Sequence, residues 1–389
     1  MWPAIALSAS VVVSFAWILH TQLERLYGLT APAWDLGQSQ QVIWSVSAGR
    51  GWGSAYENGR NFLGIHLELV FLPVAWLERL WLTPVVPLVI SAAGLAAIAP
   101  AGYLFLRALL PERPAARWLA LGLAAPMPFW AATQEAARDQ YHPENLTLAL
   151  ALLAGWAGLR QNRGLLWLLV IGLLSCKEDQ VYTAFVAGLV VWRAGASGIR
   201  RHGRAVMIFA GAWLVVGSAI QAVIRGGTTS PAQYYYWWIW TEPSRNFLGA
   251  ALLRPDPWLA VGGLLVSLLA LPLLAPRWLL LALPPVAANL LSSHDVQGRL
   301  QLHYVLLIMF PLIVAAGFGA GRLLERPGVL TRLPAQALLF GAVPALVIGM
   351  TLGRLPPALG AESWLYERPP AVDRLLAAAA VIPVDAPLY

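Results

Sequence analysis

Long apolar runs alternate with short polar connections along the whole chain. The first run covers residues 2–20 and has no charged segment before it, so we read it as a retained span. Ten further runs lie at 84–108, 116–132, 143–160, 163–177, 180–194, 205–224, 257–274, 277–292, 304–322 and 333–353. A helix needs about 20 mainly apolar residues to cross a membrane. The pattern therefore predicts an all-α, polytopic helical bundle with about eleven transmembrane helices.

Two of the predicted spans, 163–177 and 180–194, are short for a bilayer of about 30 Å. We expect them either to reach full depth with the help of their flanks or to form a broken pair.

Composition supports a lipid-embedded protein. Hydrophobic residues make up 59% of the 389 positions and charged residues 12%, whereas soluble proteins have about 45–50% and about 25%. The 19 tryptophans suit anchoring at many membrane interfaces. Although the net charge is +7, the basic residues are scattered over short connections, which excludes a nucleic-acid-binding surface.

Segment 66–82 decides the topology, because it is apolar but carries several charges. If it lies at the surface, one set of connections holds 13 arginines and two acids. These arginines are Arg107, Arg113, Arg117, Arg160, Arg163, Arg193, Arg200, Arg201, Arg204, Arg277, Arg322, Arg326 and Arg332. Cytoplasmic connections are rich in basic residues. We therefore predict a multi-pass protein of the plasma (inner) membrane with the N-terminus in the cytoplasm and the C-terminus outside.

This topology makes residues 1–353 a single transmembrane domain with two large outer loops. The first, 21–83, contains residues 36–48, whose pattern predicts a short helix lying in the membrane interface. The second, 225–256, contains an aromatic run that suits contact with lipid headgroups. The tail 354–389 either begins a further outer domain or is simply a terminus.

Ionisable side chains collect at the outer ends of the predicted spans, while the cytoplasmic connections offer little besides arginine. Such residues are costly near the membrane and tend to be functional. The candidates are Asp35, His66, His142, Glu144, Lys177, Glu178, Asp179, Arg299 and His303. A site built from them would face outward, and we expect Asp35, His66 and His142 to lie near Lys177.

Several candidates have a structural alternative. Asp35 precedes a predicted helix and could cap it, rather than act as a general base toward a hydroxyl. Pro143 and Glu144 suit the first turn of a helix, where the carboxylate meets the positive end of the dipole. The His-x-Glu spacing at 66–68 and 142–144 could supply metal ligands, although it is a weak signal.

Lys177 is the one lysine among 26 basic residues, and two carboxylates follow it between two short apolar runs. This choice suggests that a compact ammonium is needed where a guanidinium would not fit. One interpretation is an internal ion pair that stabilises a bend. The other is a lysine held by Glu178 and Asp179 and aimed at a phosphate or sugar. Arg299 and His303 are assigned a similar role, with lipid headgroup contact as the alternative.

Five segments, taken in order, resemble the bacterial and archaeal membrane proteins grouped as domain-of-unknown-function family 2079. They are WDLGQSQQVIW, NFLGIHLEL, YHPENLTLAL, LLSCKEDQVY and QLHYVLLIMFPL, and the resemblance covers roughly residues 30–325. That family in turn resembles the GT-C superfamily of integral-membrane glycosyltransferases. Those enzymes have interface helices and an early acidic base in a long first outer loop, and Asp35 occupies the matching place. Many carry a paired acidic motif there, whereas Leu36 follows Asp35 in this chain.

The resemblance implies inverting transfer of a sugar from a polyprenyl-phosphate donor to an acceptor at the outer face of the membrane. Asp35 would be the base, and Lys177, Arg299 and His303 would hold the lipid phosphate. Glu178 and Asp179 would orient Lys177 or bind a divalent cation, the one cofactor under consideration. Partners would be membrane lipids, the lipid-linked donor and an acceptor that the sequence does not identify.

Two other functions are considered beside the enzyme. A transporter or lipid flippase needs a polar path through the membrane and usually an internal repeat, and the sequence contains no recognisable repeat. A non-catalytic assembly protein would use the same charges as structural ion pairs.

The topology can be tested by cysteine labelling. A cysteine placed in the 194–204 connection should react only with reagent supplied from the cytoplasm, because this connection belongs to the arginine-rich set. Labelling from outside would contradict the predicted topology.

Overall fold

The fold is all-α in the computed structural model, which describes residues 2–81, 83–242, 252–326 and 341–381. Within these ranges, one isolated β-bridge joins Gly53 to Asn61. The α-helices are α1 Trp2–Tyr27, α2 Gln38–Ser47, α3 Phe71–Glu78, α4 Val85–Ala96, α5 Ile98–Leu109, α6 Pro114–Ala124, α7 Ala131–Arg138, α8 Thr147–Leu159, α9 Arg163–Cys176, α10 Gln180–Ala194, α11 Ser197–Arg225, α12 Pro231–Tyr235, α13 Trp237–Thr241, α14 Pro255–Ser267, α15 Pro276–Leu279, α16 Leu283–Leu290, α17 Asp295–Gly298, α18 Leu306–Glu325, α19 Ala342–Leu352 and α20 Ala371–Ala379.

Four stretches of the described chain are long and apolar enough to cross a membrane. They are Trp2–Tyr27, Val85–Leu109, Ser197–Arg225 and Asp295–Glu325. Each coincides with a predicted span, and even the shortest, with 25 residues, extends about 37 Å at 1.5 Å per residue. The prediction of an all-α protein with apolar spanning helices is therefore confirmed.

The count of eleven spans stays a prediction, because the other apolar runs form shorter helices. Helices α6, α8, α9 and α10 have 11 to 15 residues. Prolines account for several interruptions, since proline cannot donate a backbone hydrogen bond. Pro126 and Pro128 follow α6 within the predicted span 116–132, and Pro272 follows α14 within the predicted span 257–274. Of the last predicted span, α19 covers 342–352, and 333–340 lie outside the described residues.

The two short runs form the broken pair that their length suggested. Helix α9 ends at Cys176 and α10 begins at Gln180, so residues 177–179 connect them without helical structure. Lys177 is extended, with φ −165° and ψ 157°. The break places three charged side chains together at one end of both helices.

Residues 66–81 do not form a helix long enough to cross a membrane, and the position of segment 66–82 at the membrane surface stays a prediction. Residues 66–70 are not helical, and α3 has eight residues, which extend only about 12 Å. Helix α3 packs on α2, the short helix predicted within 36–48, through Val42, Ile43 and Phe71. Trp76 and Leu72 on its other face are exposed. The first outer loop therefore holds two short helices with partly exposed apolar surface, as interface helices do.

Helix α18 is the centre of the bundle. Fourteen of its 20 residues are buried, and it packs against α5, α8, α10 and α15. A helix that is apolar on all sides is stable only when other helices surround it in this way. The turn Leu302–Val305, which contains His303 and Tyr304, leads directly into this helix, so the central helix fixes these two residues at one end of the bundle.

Helices α10 and α11 approach closely through two glycines. A Cβ atom on Gly188 would lie 2.8 Å from the carbonyl oxygen of Gly203, and one on Gly203 would lie 2.5 Å from the backbone nitrogen of Trp192. Small residues let helix backbones pack at this distance in membrane proteins. The crossing fixes α10, and therefore the break before it, against the long helix α11.

Hydrogen bonds between the segments that connect the helices identify the two ends of the bundle. The first outer loop meets the tail where Thr30 Oγ1 donates to the carbonyl of Leu365. At the far end of α18, Arg113 Nη1 donates to the carbonyl of Leu324 at 2.7 Å. Other contacts at the first end join Arg25 to Arg138, His66 to Glu178, and Ser293 to Tyr235. Segments predicted to share the outer side therefore meet one another.

Candidate functional site

A cavity of about 630 Å³ lies among the connections at the end of the bundle where the first outer loop meets the tail. Its volume falls within the range of about 300–1,000 Å³ that is usual for small-molecule sites. The ionisable residues on its wall are Asp35, His66, Glu68, His142, Glu144, Lys177, Glu178, Asp179, Arg225, Tyr235, Tyr236, His294, His303 and Tyr304. A neighbouring cavity of about 530 Å³ shares part of this wall, including Trp34, His66 and Arg225.

Eight of the nine candidates from the sequence lie on this wall, although they come from distant parts of the chain. Asp35, His66 and His142 share the cavity with Lys177, as expected. Arg299 does not line it. Arg299 Nε lies 2.8 Å from Asp295 Oδ2. Arg299 lines a separate cavity of about 180 Å³.

Asp35 faces the cavity and does not cap the following helix. It lies in a π-helical turn, Ala33–Gly37, and Gly37 is the cap residue of α2, with no side-chain capping bond. Its Oδ1 lies 3.8 Å from His142 Nε2, and 37% of the side chain is exposed. A carboxylate with this access to the cavity can accept a proton from a bound hydroxyl.

Lys177 forms an ion pair with Glu144, and both side chains are buried. Glu144 lies in the turn Pro143–Leu146 before α8, where His142 is the cap residue without a side-chain capping bond. Among the described residues, Glu144 is the ion-pair partner that the structure gives Lys177. The prediction that Glu178 and Asp179 hold the lysine directly was therefore wrong: the partner comes from another helix rather than from the next two residues.

Glu178 instead holds the first outer loop in place. Its Oε1 lies 3.0 Å from His66 Nδ1, and its Oε2 accepts a hydrogen bond from the Leu67 N–H at 2.9 Å. Asp179 accepts a hydrogen bond from the side-chain amide of Gln180 at 2.9 Å. The three charged side chains of the break thus have three different partners, and Lys177 is buried whereas Asp179 is exposed.

A third cluster joins Asp139, His142 and His303. Asp139 Oδ2 lies 3.3 Å from His142 Nδ1 and 2.5 Å from His303 Nδ1. The two imidazole rings are stacked with centroids 4.1 Å apart. His303 Nε2 lies 3.4 Å from Glu144 Oε1, so this cluster adjoins the Lys177–Glu144 pair. Within the described residues, these three form the one group of His, Cys, Asp or Glu close enough to share a metal ion.

Burial and the surplus of carboxylates shift several pKa values in the connections. Burial raises the pKa of Glu68 to about 8. For His142, burial alone would lower the pKa, but Asp139 and the nearby carboxylates outweigh it and raise the pKa to about 9. At neutral pH the wall therefore carries a largely neutral Glu68 and a cationic His142.

The sequence reasoning missed several polar residues on the wall. Asp139 was one of many acids at the outer ends and received no role, because its contact with His303 spans 164 positions. Asn289 lies inside the predicted span 277–292, and a buried amide in an apolar run is a signal that could have found it. Tyr236 was assigned to the lipid interface, but it faces the cavity, and its hydroxyl donates to the Ala288 carbonyl at 2.9 Å.

A family model described as "Predicted membrane protein (DUF2079)" matches residues 25–351. The match covers most of the chain, so the chain belongs to this family, and the resemblance drawn from the ordered segments is confirmed. The matched range includes every residue of the cavity wall named above. No curated protein matches the chain.

The pH dependence of stability tests the environment of Glu68. A carboxyl whose pKa rises from 4.5 to about 8 on folding contributes stability that is complete below about pH 4.5 and lost as the pH rises to about 8. Glu68→Gln removes this loss. We expect the variant, purified in detergent, to melt a few degrees above wild type at pH 9, since about 1 kcal/mol moves Tm by about 2–4 °C. The difference should shrink at pH 5.

The charged groups that face Glu68 are His66, Glu144, Lys177 and Glu178, and all are unchanged in this variant. Glu367→Gln, at an exposed position in the tail, is the matched control and should follow the wild-type profile. Equal melting of Glu68→Gln and wild type at both pH values would show that Glu68 carries no such penalty.

Proposed function

We propose that this member of the DUF2079 family is a GT-C-type glycosyltransferase of the plasma membrane. It would transfer a sugar, with inversion, from a polyprenyl-phosphate donor to an acceptor at the outer face. The observation that supports this best is the composition of one cavity wall, which holds both the accessible carboxylate of Asp35 and a buried ammonium group. The orientation, with the N-terminus inside, follows from the arginine-rich connections at the other end of the bundle.

Asp35 is the proposed general base. Inverting transfer requires a carboxylate that takes the proton of the acceptor hydroxyl while the hydroxyl oxygen attacks the anomeric carbon of the sugar. Asp35 is free of a capping role and has His142 as its neighbour.

The leaving lipid phosphate needs cationic or hydrogen-bonding groups on the other side of the sugar. Lys177 and His303 are proposed for this role, because both line the cavity beside Glu144. Arg299 is not part of this proposal, since its guanidinium pairs with Asp295 elsewhere. Arg225 takes its place: it lines both adjoining cavities, and its Nη1 donates to the Gly64 carbonyl at 3.1 Å. Fixed positive charges near a developing phosphate charge stabilise the transition state.

The position of the cavity suits a substrate whose carrier stays in the membrane. Helices α2 and α3 flank the Asp35 turn and expose Trp44 and Trp76, which are side chains typical of the membrane interface. A polyprenyl chain could remain in the lipid while its phosphate enters the cavity. Tyr235 and Tyr236 on the wall offer apolar ring faces to a bound sugar.

The base can be tested with purified protein in lipid nanodiscs and a set of polyprenyl-phosphate sugars. We expect wild type to release polyprenyl phosphate from one donor, measured by mass spectrometry, and Asp35→Asn to lower kcat by about 100-fold or more with a similar KM. Asp373→Asn, at an exposed position in α20, is the control and should behave as wild type. Full activity of Asp35→Asn would exclude it as the base. Movement of intact donor across the bilayer without cleavage would instead indicate a flippase.

The role of Lys177 can be separated from that of a structural ion pair. If the ammonium binds phosphate, Lys177→Arg should impair transfer while the protein still folds, because the guanidinium is larger and its donors point differently. Lys177→Met should lose more activity and also stability. The unpaired Glu144 then stays buried, at a cost of about 3–5 kcal/mol.

A double variant, Lys177→Met with Glu144→Gln, removes both charges and provides the control. We expect its melting temperature to recover toward wild type, because no uncompensated charge is left, while transfer stays low. Recovery of both melting and transfer would show that the pair is only structural. Full activity of Lys177→Arg with unchanged melting would lead to the same conclusion.

A further inference from the structure

We infer that Asp139, His142 and His303 form a binding site for a divalent transition-metal ion, with Zn²⁺ as the best match. The cluster shares His303 with the proposed phosphate-binding groups, but the inference does not depend on the transfer reaction. It rests on the geometry of three side chains, on polar atoms that are buried without partners, and on the charge of the surrounding wall.

The three side chains have the separations that one small ion needs. One candidate ligand atom from each residue can be chosen so that all three lie within 4.8 Å of one another. Two ligands of a tetrahedral zinc ion, each about 2.0–2.1 Å from the metal, lie about 3.3 Å apart. His142 Nδ1 and Asp139 Oδ2 have this spacing, 3.3 Å. His303 Nδ1 is closer to Asp139, at 2.5 Å, and a small side-chain rotation would bring it to the same distance.

Buried polar atoms without partners surround the cluster. Asp139, His142, His303 and Glu144 are each more than nine-tenths buried. Within the described residues, His142 Nδ1, His303 Nε2 and Glu144 Oε2 make no hydrogen bond. A buried polar group without a partner costs about 1–3 kcal/mol. Of these atoms, His142 Nδ1 is a proposed metal ligand, and a bound ion would give it the partner that no described residue provides.

The charge of the wall favours a cation at this place. The carboxylates on or directly behind the wall are Asp35, Glu68, Asp139, Glu144, Glu178 and Asp179. The side chains there with a permanent positive charge are Lys177 and Arg225. Two imidazoles stacked at 4.1 Å cannot both be cationic without strong repulsion. A divalent ion supplies positive charge while both rings stay neutral, and the carboxylates that attract a proton to His142 also attract the ion.

The ligand set distinguishes between metals. Two imidazoles and one carboxylate suit Zn²⁺ and neighbouring transition metals, whereas Mg²⁺ and Ca²⁺ prefer oxygen ligands alone. His142 and His303 line the cavity, and Asp139 lies behind them. A bound ion would therefore hold three protein ligands and present its remaining position to the cavity, where water or an anionic group could bind.

The test measures metal binding directly, without donor or acceptor. Chelator-stripped protein is titrated with Zn²⁺, and its metal content is measured by mass spectrometry after desalting. Co²⁺ serves as a spectroscopic probe in parallel. We expect one ion per chain, a visible Co²⁺ absorption band, and a Zn²⁺-dependent rise in melting temperature. His142→Gln, His303→Gln and Asp139→Asn should each weaken binding by about 10-fold or more.

His294→Gln is the matched control, because His294 lines the same cavity but lies outside the three-residue cluster. It should retain the ion, the Co²⁺ band and the melting response. Equal affinity in the three cluster variants and wild type would overturn the site, as would equal loss in the control. If a cluster variant fails to fold, X-ray absorption of zinc-loaded wild type decides. Two imidazole ligands support the proposal, and none overturns it. Because no substrate is present, these results are independent of glycosyl transfer.

Discussion

The ion pair between Lys177 and Glu144 is the contact on which the arrangement of the site depends. It joins the break between α9 and α10 to the turn before α8, and both charges are buried. The desolvation of two such ions is compensated only when they are close and further partners complete the network. The other charges of this region provide those partners: His303 adjoins Glu144, and Glu178 next to the lysine anchors the first outer loop through His66. Loss of one ion of the pair would therefore disturb three connections at once.

Much of the fold follows from hydropathy, because lipid requires apolar side chains wherever a helix meets it. Four long apolar helical stretches lie where the apolar runs predicted them, and segment 66–82, for which the distribution of arginine predicts a surface position, contains the short helix α3. The interruptions were harder to place. Hydropathy averages over a window, whereas a helix ends at individual residues such as Pro126 or Pro272. Where the end of a helix is buried inside the bundle, the length of the apolar run no longer determines how many of its residues are helical.

The members of the site could be predicted, but their pairing could not. Polar residues at the ends of predicted spans on the same side should share one membrane level, and eight of the nine candidates do meet on one wall. Which of them touch depends on helix rotation and packing, and the sequence expresses neither. Lys177 pairs with a carboxylate 33 positions away rather than with Glu178 beside it. Arg299 was predicted to lie at the site, but it pairs with Asp295, a carboxylate only four positions earlier in the sequence, and does not line the cavity.

The break between α9 and α10 has a consequence for the bilayer around the protein. Helices of 14 and 15 residues extend only about 21–23 Å, whereas the hydrocarbon layer is about 30 Å thick. If both helices cross the membrane, as the sequence predicts, lipids beside this pair must thin locally or tilt so that their headgroups meet its polar end. The cavity beside Lys177 would thus be reached through a locally thinned part of the membrane. A thicker bilayer would have to thin more, at a higher energetic cost. The lipid composition of the host membrane would therefore be one of the factors that control access to the site.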